Sequence, residues 1–483
     1  MRPTKVCVIL WTIIALLAVL CCLVPSDGWH IGSKVLRWPT LAEVLEIPTS
    51  VDSITSPDVM QSDSTGLLSV VMTDSVPLDT LVVASVDTVK VVSRPAIPSQ
   101  STSSSQVRDN GTRQYLQAFY DALGTAAKEQ VRVVHYGDSQ IEEDRISSVL
   151  REQLQERYGG GGVGLIPLHQ TIPTRSVRQV TKMNGAIQST QGGPKRYIVY
   201  GPRSMRRSSG EYGVMGQVAL MDDSIKSGSE DICITIEPMD NGHVYNRFRQ
   251  VRLLAKGVDA DVCIDDDTVC CSVDSQHIAK LPTSVTHCSI HLHGKGEVYG
   301  VSLEQATGVL VDNIPMRGCS GAVFTQIRQE ALASFFKQTN TRLIILQFGG
   351  NMLPNTENRS TLAGYVNSLR QQVRYMKQCA PNASILFIGP SDMSTRVEGE
   401  LTTYPLLPYL DNSLVKMAQE EEIGYWSLYQ AMGGHNSMIV WQKRGLAGSD
   451  YIHFTRKGAD KVGKMLWDYL QEPLLLNTDT IAE

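Results

Sequence analysis

Several stretches of the chain are apolar at nearly every position instead of at every second one. They are Val131–Tyr136, Val309–Ile314 (in GVLVDNI), Leu343–Phe348 (in RLIILQFG) and Ile385–Ile388 (in SILFIG), with GYWSL at 424–428 as a shorter fifth. Such runs read as strands buried on both faces, the state of strands inside a parallel sheet. Between them, apolar positions recur at helical spacing: Ile146, Val149, Leu150 and Leu154; Ile327, Ala331 and Phe335; Leu362 to Met376; Leu414 to Gln419; and Val462, Met465 and Tyr469. Strand alternating with helix predicts an α/β domain with a doubly wound parallel sheet and right-handed crossovers. A further helical pattern, through Tyr115, Phe119 and Leu123, opens the folded part near Asp109.

The texture changes from about His169 to Leu310. Helical periodicity gives way to short runs such as RYIVYG, DICITIEP, RQVRLLA, HCSIHLH and EVYGVSLE, separated by turn residues. That spacing predicts a β-sandwich inserted into the α/β domain. The resulting division is 109–168 and 311–472 for the two parts of the α/β domain, 169–310 for the insert, and 473–483 for a tail. The glycines at 159–162 lack a following GK[ST] and read as a flexible helix exit, not a phosphate cradle.

The N-terminus sets the expected compartment. Arg2 and Lys5 precede an apolar run from Val6 to Val24, near the ~20 residues that span a bilayer. Segment 1–25 is therefore expected to anchor the chain in a membrane, with everything after it exported. Val24 and Ser26 also fit a cleavage site, so a removed signal is the alternative. Residues 26–108, rich in Ser, Thr, Val, Asp and Pro, read as a disordered tether.

Composition narrows the partners. The net charge of −5 implies no basic face and argues against nucleic acid. No CxxC pair occurs, so a zinc site is not expected; no metal and no cofactor are called for. Cys263, Cys270, Cys271 and Cys288 are crowded enough for a disulfide in an oxidising compartment, or are small apolar strand residues. His135, His243, His291 and His293 read as structural. His291 and His293 share a strand face, but no third ligand is apparent.

Four segments at predicted strand ends or helix entries carry the candidate chemistry: Gly137-Asp138-Ser139, Gly318-Cys319-Ser320-Gly321, Gly349-Gly350-Asn351 and Asp450-Tyr451-Ile452-His453. Acyl transfer through a serine needs an imidazole to take the hydroxyl proton and a carboxylate to orient that imidazole. Asp450, three residues before His453, can hold Nδ1 while Nε2 faces Ser139. The N–H groups of Ser139 and Gly321 and the side-chain amide of Asn351 are the candidate oxyanion donors. A basic, aromatic stretch in the insert contains Lys195, Arg196, Arg203, Arg206 and Arg207 beside Tyr197 and Tyr200. Tyr197, Tyr200, Arg206 and Arg207 are the candidate substrate contacts.

These blocks resemble those of the SGNH, or GDSL-like, hydrolases, in which Ser, Gly, Asn and an Asp-x-x-His pair appear in this order. The resemblance implies a flavodoxin-like three-layer fold and assigns Ser139, Gly321, Asn351, Asp450 and His453 to those positions. Within that superfamily the chain is similar to peptidoglycan O-acetylesterases, which carry a carbohydrate-binding-like β-domain between the first two blocks. It departs at Gln140, which follows the nucleophile, and at Met352, where an acid commonly follows the Asn. The resemblance implies a serine esterase removing O-acetyl groups from an envelope polysaccharide, peptidoglycan being the expected polymer. The alternatives are an O-acyltransferase on the same polymer and an anchored, non-catalytic glycan-binding protein.

Overall fold

In the strand Gln130–Gly137 (β1), neighbouring side chains go to opposite layers. Val131 and Val133 pack among one set of helices, whereas Val134 and Tyr136 pack among another. The same division runs through Gly308–Pro315 (β2), Thr341–Gln347 (β3) and Ser384–Ile388 (β4), and Gly424–Trp426 (β5) completes the sheet. All neighbours pair in parallel, in the order β2-β1-β3-β4-β5. That order is the flavodoxin-like arrangement, whose direction switches beside β1. One flanking layer holds the helices Gln329–Gln338, Arg359–Cys379 and Leu407–Glu420. The other holds Gln117–Leu123, Ser147–Tyr158 and the buried part of Arg456–Asp479. The expected α/β class and three-layer order are present.

The computed structural model describes residues 29–31, 34–36 and 110–479, apart from 184–185, 189–192, 222–231, 240–245 and 266. The expected membrane segment 1–25 lies outside them, as do His243 and most of the expected tether. Within the tether span, Trp29–Ile31 pairs antiparallel with Lys34–Leu36 in a unit separate from 100–483. Among the described residues no helix is long and apolar enough to cross a membrane. The last helix continues through Asp479, where a tail was expected.

The insert forms a ten-stranded antiparallel assembly around two strands of 17 residues, Phe248–Ile264 and Cys288–Glu304. Shorter strands pair along successive parts of each, and the module encloses a core of its own. Three of the runs read separately in the sequence, RQVRLLA, HCSIHLH and EVYGVSLE, are parts of these two strands. Gly164–Ile166 already pairs with the second of them, so the sheet of the module begins before His169. The glycine run is not a loose exit. A Cβ at Gly160 would lie 2.3 Å from the carbonyl of Val309, and one at Gly162 would lie 2.1 Å from that of Leu303. Bare backbone is required there because strands cross in contact.

The module is joined to the sheet by buried charge. Arg132 on β1 donates to Glu304 and Ser302 of the insert, both at 2.7 Å, and its Nε lies 3.5 Å from Asp312 on β2. Arg132, Glu304 and Asp312 are fully buried. Burial opposes ionisation of Glu304, but the guanidinium groups of Arg132 and Arg252 outweigh it and hold its carboxyl below the usual range. Arg132→Met should leave two carboxylates without their main counter-charge and cost about 3–5 kcal/mol of stability by denaturant titration. Adding Glu304→Gln should recover part of that loss. A single variant as stable as the wild type would show that the cluster does not fasten the module.

Candidate active site

Three strands end level with one another. Gly137 of β1 pairs with Pro315 of β2 and with Gln347 of β3. The loops that follow therefore begin at one height and converge on one cleft. Its volume is about 270 Å³, and its lining includes Asp138, Ser139, Gln140, Arg317, Gly318, Gly350, Asn351, Ile452 and His453.

Ser139 follows β1 on a short 3-10 turn, and its Oγ lies 2.9 Å from His453 Nε2. His453 Nδ1 lies 2.7 Å from Asp450 Oδ2. The other oxygen of Asp450 accepts the N–H groups of Ile452, at 3.0 Å, and His453, at 3.1 Å. Burial works against ionisation of Asp450, but these hydrogen bonds outweigh it and hold the carboxyl below its ordinary range. The three groups thus make a continuous relay: hydroxyl, imidazole, carboxylate. Ser139, Asp450 and His453 are brought together as the sequence predicts.

The local build differs from the expected strand-to-helix turn. Glu142, Glu143 and Asp144 do not form the first turn of a helix. Glu143 and Asp144 have φ near +60°, and the α-helix starts at Ser147. Asp144 is instead held by the buried Arg151 at 2.6 Å, and Glu142 lies 3.6 Å from Arg317. The Ser139 amide therefore gains nothing from a long helix dipole; it acts as a fixed backbone donor.

Asn351 follows β3, and its Nδ2 is oriented by the carbonyl of Cys319 at 3.1 Å and by Asp138 Oδ2 at 3.2 Å. Gly321, the expected donor, lies back from the pocket. It is buried against Phe348, its N–H donates to Cys319 Sγ at 3.3 Å, and it does not line the cleft. Gly318, three residues earlier, is exposed at the cleft wall with φ +72°. The sequence offers two glycines in one turn, and only the turn's conformation decides which of them borders the cleft.

The four proposed substrate contacts lie in the insert, with Tyr200 and Arg206 close to the Cys319 loop. None lines the cleft. Arg207 pairs with Glu297 at 2.7 Å and lies 5.1 Å over the Tyr197 ring, so these two satisfy one another. Burial pushes the Tyr200 phenol up to about 12, and Glu142 and Cys319 act on it electrostatically. Arg206 hydrogen-bonds the Gly201 carbonyl and lies near enough to Cys319 to act on its thiol. Two residues were missed. Gln140 donates to the carbonyl of Ile452 at 2.7 Å, tying the serine loop to the histidine loop. Arg317 is a largely exposed guanidinium at the cleft wall. Gln140 was legible only as the neighbour of the nucleophile, and Arg317 only as the neighbour of Gly318.

No family model matches the sequence, and no curated protein matches it. Solved structures do. A structure of a peptidoglycan O-acetylesterase is 21% identical and superposes with a TM-score of 0.58, covering 76% of this chain and 98% of its own. An acetyl xylan esterase (12% identity, TM-score 0.25) covers 34% of this chain and 81% of its own. A family two carbohydrate esterase from Cellvibrio japonicus (10% identity, TM-score 0.25) covers 61% and 98%. The first of these shows the fold. The chain has an SGNH hydrolase-like fold, an α/β domain carrying a β-rich insert.

Asp138 carries the electrostatic tension of the site. Burial raises its pKa from 3.8 to about 6, although the Gln140 amide, at 3.0 Å from Oδ1, opposes the shift. The fold thus disfavours the ionised form. The penalty is absent below about pH 3.8, grows between that and about 6, and is complete above. Asp138→Asn should therefore be more stable than the wild type at pH 8, by ~3 kcal/mol, and lose that advantage near pH 4. Denaturant titrations at the two pH values check this; a constant difference would mean that Asp138 is not the titrating group.

Proposed function

We propose that this chain is a serine esterase that removes O-acetyl groups from a polysaccharide of the cell envelope, peptidoglycan being the favoured polymer. The observation that carries the reading is the relay from Ser139 through His453 to Asp450 beside the amides of Ser139, Gly318 and Asn351. His453 Nε2 accepts the Ser139 proton as Oγ attacks the acetyl carbonyl. The negative charge then forming on oxygen is met by the backbone amides of Ser139 and Gly318, and by Asn351 when one of its Nδ2 hydrogens turns from Asp138 or the Cys319 carbonyl to the oxyanion. Collapse of that intermediate expels the sugar hydroxyl, protonated by His453, and leaves an acetyl-serine. Water, activated by the same imidazole, releases acetate. No step calls for a metal or cofactor.

The likeness to a peptidoglycan O-acetylesterase over most of both chains supports the choice of polymer. The apolar run from Val6 to Val24 supports export and a tether to the inner membrane, which would bring the cleft to the polymer in the periplasm. Among the described residues the pocket beside Ser139 is lined by loops of the α/β domain, which makes Arg317 the first cationic contact to test for substrate.

Purified chain incubated with O-acetylated peptidoglycan should release acetate. Ser139→Ala should lower that release at least about a thousandfold with the fold intact. A folded Ser139→Ala protein that keeps substantial turnover would remove the mechanism. A small chromogenic acetate run in parallel separates chemistry from polymer binding. Arg317→Ala should reduce kcat/KM on the polymer by about tenfold or more while leaving the small ester within twofold, because remote contacts orient only the larger substrate. Equal losses on both would place Arg317 in the chemistry instead.

A further inference from the structure

The β-module supplies the partners that the sequence did not show for His291. Strand register sets Asp261 opposite His291, and Cys263 opposite Cys270 on one side and Ser289 on the other. The turn after Ile264 then carries Asp267 over the same face. A ring nitrogen of His291, a carboxylate oxygen of Asp267 and the Sγ of Cys263 all lie within 4.8 Å of one another. The His291–Asp267 separation is 3.7 Å. Imidazole, carboxylate and thiolate are the donors that a zinc-class ion takes. Beside them, His293 pairs with Asp261 at 3.1 Å, and Asp261 also accepts from Ser272, which keeps that pair engaged with its own partners.

Cys263 is disulfide-bonded to Cys270. A disulfide sulfur carries no negative charge to donate, so in this state the donor set is incomplete. Opening the bond frees two thiols at facing positions of the hairpin, Cys263 beside Asp267 and His291, and Cys270 with its Sγ 3.7 Å from the Asp267 carbonyl. We propose that the reduced β-module binds one zinc-class divalent cation through Cys263, Cys270, Asp267 and His291. The disulfide and the ion are then alternative fasteners for the hairpin formed by 261–264 and 269–272. The chemistry balances with a trialkylphosphine as reductant. The phosphine gives two electrons to the S–S bond, water supplies the oxygen of the phosphine oxide, and the two water protons end on the sulfurs. Ion binding then displaces the two thiol protons to solvent. The set gives four protein ligands, the number of a closed structural site. It shares no residue with the catalytic cleft.

The test uses the full chain and cobalt(II) as a spectroscopic probe, with and without the phosphine. The reduced chain should bind one equivalent, show thiolate-to-cobalt absorption, and release the cobalt to zinc. The oxidised chain should show no such absorption. His291→Ala and Asp267→Asn should each weaken binding by at least about tenfold. The double variant Cys263→Ser/Cys270→Ser should abolish the thiolate absorption while circular dichroism reports an intact fold. Should that variant misfold, Cys270→Ser alone, with Cys263 kept, must still lower the affinity. Three results overturn the proposal: no binding by the reduced chain, equal binding by the oxidised chain, or thiolate absorption that persists without Cys263 and Cys270. The last would hand the ion to Cys233 or Cys271.

Discussion

The site depends on the parallel register of the sheet. Gly137 stands level with Pro315 and Gln347, so the first three strands stop together and their loops leave from one line. Hydrogen bonds along both sides of β1 enforce that level, and a slip of one residue would turn every side chain to the other layer. Given the register, Asp138 and Ser139 lie beside Gly318 and Asn351 without any long-range steering by the loops. The last loop, with Asp450 and His453, is brought in by the packing of the final helix and by Gln140 holding the carbonyl of Ile452.

The β-module is part of this framework and not a pendant. Its residues Leu165, Val199, Tyr212, Val214, Met215 and Val218 enter one core of the α/β domain. Tyr136 on β1 donates to the carbonyl of Val214 at 2.9 Å, and Asp312 on β2 accepts the Leu165 amide at the same distance. The contacts begin within the strands that carry the catalytic loops. A module fastened this way limits the freedom of β1 and β2, which is what a preorganised set of donors needs. Asp138 shows the cost of that arrangement: a carboxylate buried where water would favour it exposed, retained beside Gln140 and Asn351.

By itself the sequence determined the strands of the parallel sheet and the grouping of Ser139, His453 and Asp450. Strands buried on both faces must be apolar nearly throughout, so β1 to β4 announce themselves. Asp450 and His453 are three residues apart, and Ser139 follows directly on a strand end, so local chain geometry almost suffices to place them. Tertiary structure decided everything that depends on which way a group faces. Gly318 and Gly321 are alike as residue types; the fold buries Gly321 against the Phe348 ring with its N–H on the Cys319 sulfur and leaves Gly318 at the cleft. Tyr197 and Arg207 read from the sequence as an unpaired basic and aromatic patch, whereas Glu297, some ninety residues later, pairs with the guanidinium. The pairing of Cys263 with Cys270 and the approach of Asp267 to His291 follow from strand register across the module. Register is fixed by the burial of alternate residues over many strands, and no short stretch of sequence carries that information.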